Sequence, residues 1–179
     1  MAAPSKPQAK TKSAGRPKPA RPLTAEERAR LAKAQSLVQQ LENGQTSIAE
    51  AFGFSATDQA EFVQVARAAY QSNDFAGAAD AALVALAIND SDTDAWLLMG
   101  LSLAQRRRSS AAREALNQLL KLKPDHLEGW VHLAEVELAD MKAEAAAAAL
   151  KKAIELDPKA LTPHGLRAQI LVVEALSKE

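Results

Sequence analysis

The side chains best suited to chemistry fall into a few groups. Asp90, Asp92 and Asp94 alternate as the ligands of a calcium loop do, but Ala95 stands where that loop needs its turn glycine and Leu101 where it needs a bidentate glutamate. The three carboxylates therefore read as helix-capping groups in a turn. His132 and Glu135 share a helix face at the i, i+3 spacing of carboxylate metal sites. Such sites draw further ligands from other helices, and no second set stands out, so the pair reads as solvated or groove-lining. His126 and His164 fall near helix starts with no serine or acid arranged around them as a triad. Arg106, Arg107, Arg108 and Arg113 form a basic knot at a turn, either solvated or facing an acidic partner. With no cysteine there is no thiol nucleophile, thiolate zinc site or disulfide, and no phosphate-binding glycine loop is present. Asn89-Asp90-Ser91 fits the glycosylation triplet, which has no meaning in a cytosolic chain. No catalytic residue, metal ligand or cofactor is assigned, and the expected class is non-enzymatic.

Composition bounds what could position these groups. The 179 residues carry 22 basic and 22 acidic side chains, and 40 alanines supply nearly half of a 47% hydrophobic content that includes only seven aromatics. A core of such small side chains depends on close helix contact, and the composition favours helices. The neutral total averages two unlike parts. Residues 1–22 hold six basic residues (Lys6, Lys10, Lys12, Arg16, Lys18 and Arg21), no acidic ones and five of the eight prolines, which leaves the remainder at minus six. Low hydrophobicity, charge and proline imply a disordered tail. Its charge alone could hold nucleic acid or an acidic surface, yet no aromatic is interleaved to stack on bases, so it reads as a solubilising extension and nucleic acid is not assigned as a partner. The longest apolar run, Ala81 to Ile88, is far short of a membrane span, and no apolar stretch backs the basic N-terminus as a secretory signal would require. The expected location is the cytoplasm, without membrane insertion.

The organising signal is a repeat. Phe62, Trp96 and Trp130 are spaced by 34 residues, as are Ala78, Ala112 and Ala146, and Ile88, Leu122 and Leu156, while Pro124 and Pro158 repeat once at that interval. Bulky, small, apolar and proline columns share one register. Caps and periodicity give helix pairs at about 58–72 with 75–88, 93–105 with 110–122, and 127–140 with 143–156. Ahead of them, Thr24 to Glu42 opens on the capping pair Thr24 and Glu27, carries a stripe of Leu31, Ala34, Leu37, Val38 and Leu41, and stops at Asn43-Gly44. A short turn of helix follows from Ser47 to Phe52. A last helix, about 161–177, presents Leu166, Ile170, Val173 and Leu176 and caps the open end of the stack.

These columns resemble the tetratricopeptide repeat, a unit of two antiparallel helices. The middle repeat has Trp96, Met99, Gly100, Leu103, Ala112, Leu116 and Pro124 in the expected places, the third keeps Trp130, Leu133, Ala134, Ala146, Leu150 and Pro158, and the first has Phe62, Val65, Ala66, Ala78 and Ala82 with Asp90 in place of the proline. The expected fold is an all-α three-repeat solenoid (repeats about 59–92, 93–126 and 127–160) with an N-terminal helical region over 23–56, a repeat domain over 57–179 and a C-terminal capping helix. The resemblance implies a concave face lined by the first helix of each pair: Val63, Arg67 and Tyr70, then Leu97, Leu101 and Ala104, then Val131, Glu135 and Leu138. Such an aliphatic trough suits an extended apolar peptide, unless these side chains merely pack between helices.

The run Asn43-Gly44-Gln45-Thr46-Ser47-Ile48-Ala49-Glu50, then Gly53-Phe54-Ser55, and Ala69-Tyr70-Gln71-Ser72-Asn73-Asp74-Phe75, resembles the class II chaperones of bacterial type III secretion over residues 24–179. The resemblance implies a cytoplasmic chaperone that holds hydrophobic translocator subunits in the groove, with Tyr70 lining it, and that dimerises through the N-terminal helix, where the stripe from Leu31 to Leu41 is the candidate surface. The alternative for that stripe is packing against the first repeat pair. Val63 and Arg67 stand where that family has aromatics, and the 22-residue tail is not a family feature. A general adaptor bridging folded partners in an envelope or motility complex is the other reading. The chaperone reading expects Leu101→Asp to abolish client capture while leaving the repeats folded.

Overall fold

The computed structural model describes residues 24–176. The tail 1–22 and the end of the last helix beyond Leu176 lie outside the described residues, as do the side chains of Glu27 and Leu176, and with them the Thr24 and Glu27 capping pair. Among the described residues the elements are helices α1 (Ala25–Glu42), α2 (Ile48–Phe52), α3 (Ala56–Gln71), α4 (Phe75–Ile88), α5 (Thr93–Gln105), α6 (Ser109–Leu122), α7 (Leu127–Ala139), α8 (Ala143–Leu156) and α9 (Pro163–Leu176). None is long and apolar enough to cross a membrane.

Short polar side chains start these helices by satisfying their first free N–H groups. Ser47 with Glu50 and Ser55 with Asp58 form reciprocal capping boxes. Asp74 accepts from Gly77 N and Asp92 from Ala95 N. The turn inside each hairpin repeats as faithfully as the helices do. Asn73, Arg107 and Met141, 34 residues apart, each sit at positive φ (62°, 56° and 59°). Behind each, the next N–H returns to a carbonyl five residues back, from Asp74 to Ala69, Arg108 to Leu103 and Lys142 to Glu137. This is the Schellman closure, in which a left-handed residue turns the chain so that the last carbonyls of a helix are met. Asparagine tolerates that conformation, whereas arginine and methionine there cost about 1 kcal/mol each.

Helices α3 and α4, α5 and α6, and α7 and α8 form hairpins, and each hairpin packs on the next through α4 with α5 and α6 with α7. The first helices of successive pairs also meet, α3 with α5, α5 with α7 and α7 with α9, while α4, α6 and α8 do not pack along one another. That asymmetry curves the stack and puts α3, α5, α7 and α9 on its inner side. The small-residue column explains the close approach: Ala78, Ala112 and Ala146 are at most 1% exposed. At the equivalent crossing in the middle hairpin, Gly100 leaves room for Leu116, whose Cγ would lie 2.8 Å from a Cβ at that position. One core cluster runs through α5 to α9 and another through α3 to α5, and Trp96 packs against both. The two tryptophans also latch the turns between repeats, because Trp96 Nε1 donates to the Asp90 carbonyl (2.7 Å) and Trp130 Nε1 to that of Pro124 (2.8 Å).

At the N-terminal end the alternative of packing on the first repeat pair is not met, and the C-terminal end departs from expectation. Among the described residues no helix packs closely along α1, so its stripe is not covered by the first repeat pair: Leu31 and Val38 are 47% and 52% exposed, and within the stripe only Leu37 and Leu41 are half-buried. At the other end α9 does pack on α7 and α8, but with a different face from the one the spacing suggests. Ala168 and Leu171 are buried against the stack, with Val172 beside them, while Leu166, Ile170 and Val173 face outward. Asp157 locks the turn into α9 by accepting from the Leu161 and Thr162 amides and the Thr162 hydroxyl, and these hydrogen bonds hold its carboxyl below the usual range. Arg113, read in the sequence with the basic knot, instead bridges α6 to α7 by donating to Glu137 and Asp140 at 2.6 Å each. The acidic turn is a capping turn as read: Asp92 also accepts from Gln59 Nε2 (2.6 Å), and Asp94 pairs with Arg67 (2.8 Å).

Candidate peptide-binding groove

The inner side of the stack is open in two adjoining places. A cavity of about 190 Å³ is lined by Tyr70 from α3, Leu101, Ala104 and Gln105 from α5, and His132, Glu135 and Ala139 from α7. A shallower one of about 280 Å³ continues past Glu135 and Leu138 to Arg167, Leu171 and Glu174 on α9. Besides α6, whose Ser109 and Leu116 also line the first cavity, four inner-face helices contribute, one more than the three expected, because α9 stands where a fourth repeat would place its first helix.

The nine groove residues divide by burial. Val63 and Val131 are core residues (5% and 0% exposed), and Leu101 (9%) forms only the floor of the first cavity. These three differ from the expectation of an open aliphatic lining. Each spends its side chain between helices. Leu97 is half-buried against the central core. Tyr70, Ala104 and Leu138 keep partial exposure on the inner face, and the Tyr70 ring is steadied edge-on by Phe75 at 5.5 Å. Arg67 is tied to Asp94 across α3 and α5. Leu101→Asp would therefore place a charge in the core and unfold the hairpin, so a test of the groove belongs at Ala104 or Tyr70 instead.

Glu135 is the centre of a polar cluster that the sequence shows only in part. Its two oxygens divide between His132 Nδ1 (2.8 Å) and Arg167 Nε (2.9 Å). His132 Nε2 lies 3.7 Å from Glu128, one helical turn back, and His164 Nε2 at the start of α9 lies 3.8 Å from the other Glu128 oxygen. Burial works against the His132 imidazolium, but Glu128 and Glu135 as hydrogen-bond and charge partners outweigh it and raise its pKa to about 9. The His132 hydrogen bond holds both glutamates below the usual carboxylate range. Helical spacing shows Glu128, His132 and Glu135 on one face, but the approach of His164 and Arg167 depends on how α9 docks. His126 caps α7 by accepting from Gly129 N (3.1 Å), and burial keeps its pKa low. A third opening of about 650 Å³, on the back between α8 and α9, is lined by apolar side chains including Ala146, Leu150, Ile154 and Val172. No sequence signal marked it, because it depends on how α9 docks against α8.

Comparison with known proteins agrees with this architecture. Family models of the tetratricopeptide repeat match residues 93–136 and 127–160. No curated protein matches the chain. Among solved structures of similar fold is the Yersinia enterocolitica type III secretion translocator chaperone SycD, with a TM-score of 0.63 and 18% identity over 72% of this chain and 98% of that one. A type III secretion complex from Aeromonas hydrophila gives a TM-score of 0.67 and 14% identity over 79% and 95% of the two chains. The first tetratricopeptide domain of Spaghetti (RPAP3), bound to an HSP90 peptide, gives 0.63 and 10% over 69% and 94%. These identities speak to fold. Residues 93–160 are thus tetratricopeptide repeats, and the described residues take the all-α fold of a tetratricopeptide solenoid.

Proposed function

We propose that the protein is a cytoplasmic, non-enzymatic chaperone of type III secretion that holds an extended apolar segment of a hydrophobic translocator subunit along its inner face. The observation that carries the reading is the trough on α3, α5, α7 and α9, with Tyr70, Ala104 and Leu138 partly exposed beside open volume. A helical lead-in before three repeats, as in the chaperone resemblance, supports it. Because Val63, Leu101 and Val131 are spent on the core, the apolar area left for a client is small. At about 25 cal/mol per Å² most of the gain is offset by association and ordering, so capture is weak and releasable. Purification from the native cell should bring down a protein with one or two long hydrophobic segments. Ala104→Glu and Tyr70→Ser should each reduce that capture at least tenfold while the melting temperature stays within a few degrees of wild type. Undiminished capture by both variants would sink the groove assignment.

The ion-paired content of the trough, Arg67 with Asp94 and Glu135 with Arg167, supports a second reading. An adaptor for folded or polar partners would use such a surface, and recovery of soluble assembly components alone would favour it. We assign the uncovered stripe of α1 to self-association, since helices in proteins draw most of their stability from packing an apolar face and the stripe on α1 is left uncovered. Sedimentation equilibrium at micromolar concentration should give a dimer for the wild type and a monomer for the Leu31→Glu, Val38→Glu double variant. A wild-type monomer would remove the dimer from the proposal.

A further inference from the structure

The group formed by Glu128, His132 and His164 has a feature that an ion-pair network does not need. One oxygen or nitrogen from each residue lies within 4.8 Å of the other two, so the three donors border one gap. The contributors come from separate elements: Glu128 and His132 stand one turn apart on α7, and His164 occupies the second position of α9. The two rings are 6.0 Å apart between centroids and inclined at 73°, which lets both point a nitrogen toward Glu128 without stacking. Tetrahedral zinc with bonds of about 2.0 Å separates its ligand atoms by roughly 3.3 Å. His132 Nε2 and His164 Nε2 lie 3.7 and 3.8 Å from different oxygens of Glu128. One atom from each residue falls within 4.8 Å of the other two, so rotation of the partly exposed side chains by about 1 Å would bring a single Glu128 oxygen and both nitrogens to that separation.

The surroundings match a metal site more closely than the donors alone. Glu135 takes the Nδ1 side of His132 at 2.8 Å, which fixes the ring and leaves Nε2 for the side facing Glu128 and His164. Arg167 in turn holds the other Glu135 oxygen at 2.9 Å. A carboxylate behind a ligating imidazole is the recurrent outer support of zinc histidines. Two imidazoles and one carboxylate suit zinc and its neighbours better than calcium or magnesium, which prefer an all-oxygen shell. All three side chains are 25% to 40% exposed, so an ion and water can reach them.

We propose that Glu128, His132 and His164 form a three-ligand Zn²⁺ site that ties α9 to α7 and leaves the fourth position open beside the inner face. Glu135 is the positioning residue for His132. The ion would clamp the last inner-face helix to the stack, adding to the buried Ala168 and Leu171 and the Arg167–Glu135 ion pair that already hold α9.

Untagged full-length protein, freed of metal by a chelator, is titrated near neutral pH with Co²⁺ as the optical probe and with Zn²⁺ in thermal melts. One equivalent of Co²⁺ should develop the visible absorption of low coordination number, Zn²⁺ should displace it, and Zn²⁺ should raise the melting temperature. His164→Gln, at a half-exposed helix start, should weaken binding at least tenfold and abolish the melting shift. Glu135→Gln should weaken it by about tenfold or more without changing the stoichiometry, as loss of an outer support does. His126→Asn, at the third histidine and keeping a capping side chain, should bind as wild type does. A Co²⁺ spectrum unchanged from the hydrated ion, or full affinity in His164→Gln, overturns the site. The test does not involve a client, so it stands or falls separately from the chaperone reading.

Discussion

Replacing Arg113 by alanine is expected to lower the unfolding free energy by roughly 3 kcal/mol, because it leaves a buried charge without its partner. The Arg113 guanidinium is 20% exposed and forks to Glu137 Oε1 and Asp140 Oδ2 at 2.6 Å each. Glu137 is 8% exposed, and among the described residues its second oxygen has no hydrogen-bond partner, with Lys142 Nζ 3.9 Å away. Asp140 retains the Ser109 hydroxyl, which with Arg113 keeps its carboxyl low, so the penalty falls mainly on Glu137. Urea denaturation of the single variant measures the loss. The double variant Arg113→Met, Glu137→Leu should recover most of it, since removing both charges removes the desolvation penalty. A single variant within about 0.5 kcal/mol of wild type would mean that the bridge is a surface pair in energetic terms.

The second large effect belongs to Leu116. This side chain is fully buried and fills the space that Gly100 leaves by lacking a Cβ. Leu116→Ala should cost about 4 kcal/mol through lost transfer and the cavity left at the α5 and α6 crossing. Gly100→Ala alone should also destabilise, by about 1 to 3 kcal/mol, because its Cβ would come within 2.8 Å of Leu116 Cγ and 2.9 Å of Cδ2. Together the two should cost less than their sum, since the new methyl occupies part of the new hole. Strict additivity in the denaturation energies would show that the two residues do not share that space.

How far the sequence carries depends on whether a signal is local. The helix boundaries were legible to within about two residues, because caps such as Ser55, Asp74 and Asp92 act within one turn and the 34-residue columns repeat the packing requirement. The left-handed column at Asn73, Arg107 and Met141 was legible in principle from its spacing, but only asparagine there advertises the conformation. What could not be read locally was the rotation of each helix about its own axis. Val63 and Val131 are apolar whether they face a crossing or a trough, so periodicity cannot choose between the two. The same ambiguity put Leu166, Ile170 and Val173 toward the stack, when the smaller Ala168 permits the closer approach and wins the inward face. Arg113 and the His132 cluster failed to show for a related reason, as their partners sit on a neighbouring helix and no spacing encodes that contact.

Because α9 stands on the inner wall beside α7, the wall has four staves among the described residues, one more than the three hairpins there supply. Neighbouring helix axes lie about 10 Å apart, so the span from α3 to α9 is roughly 30 Å. An extended chain rises about 3.3 Å per residue, which makes the wall long enough to read about nine consecutive residues of whatever lies across it.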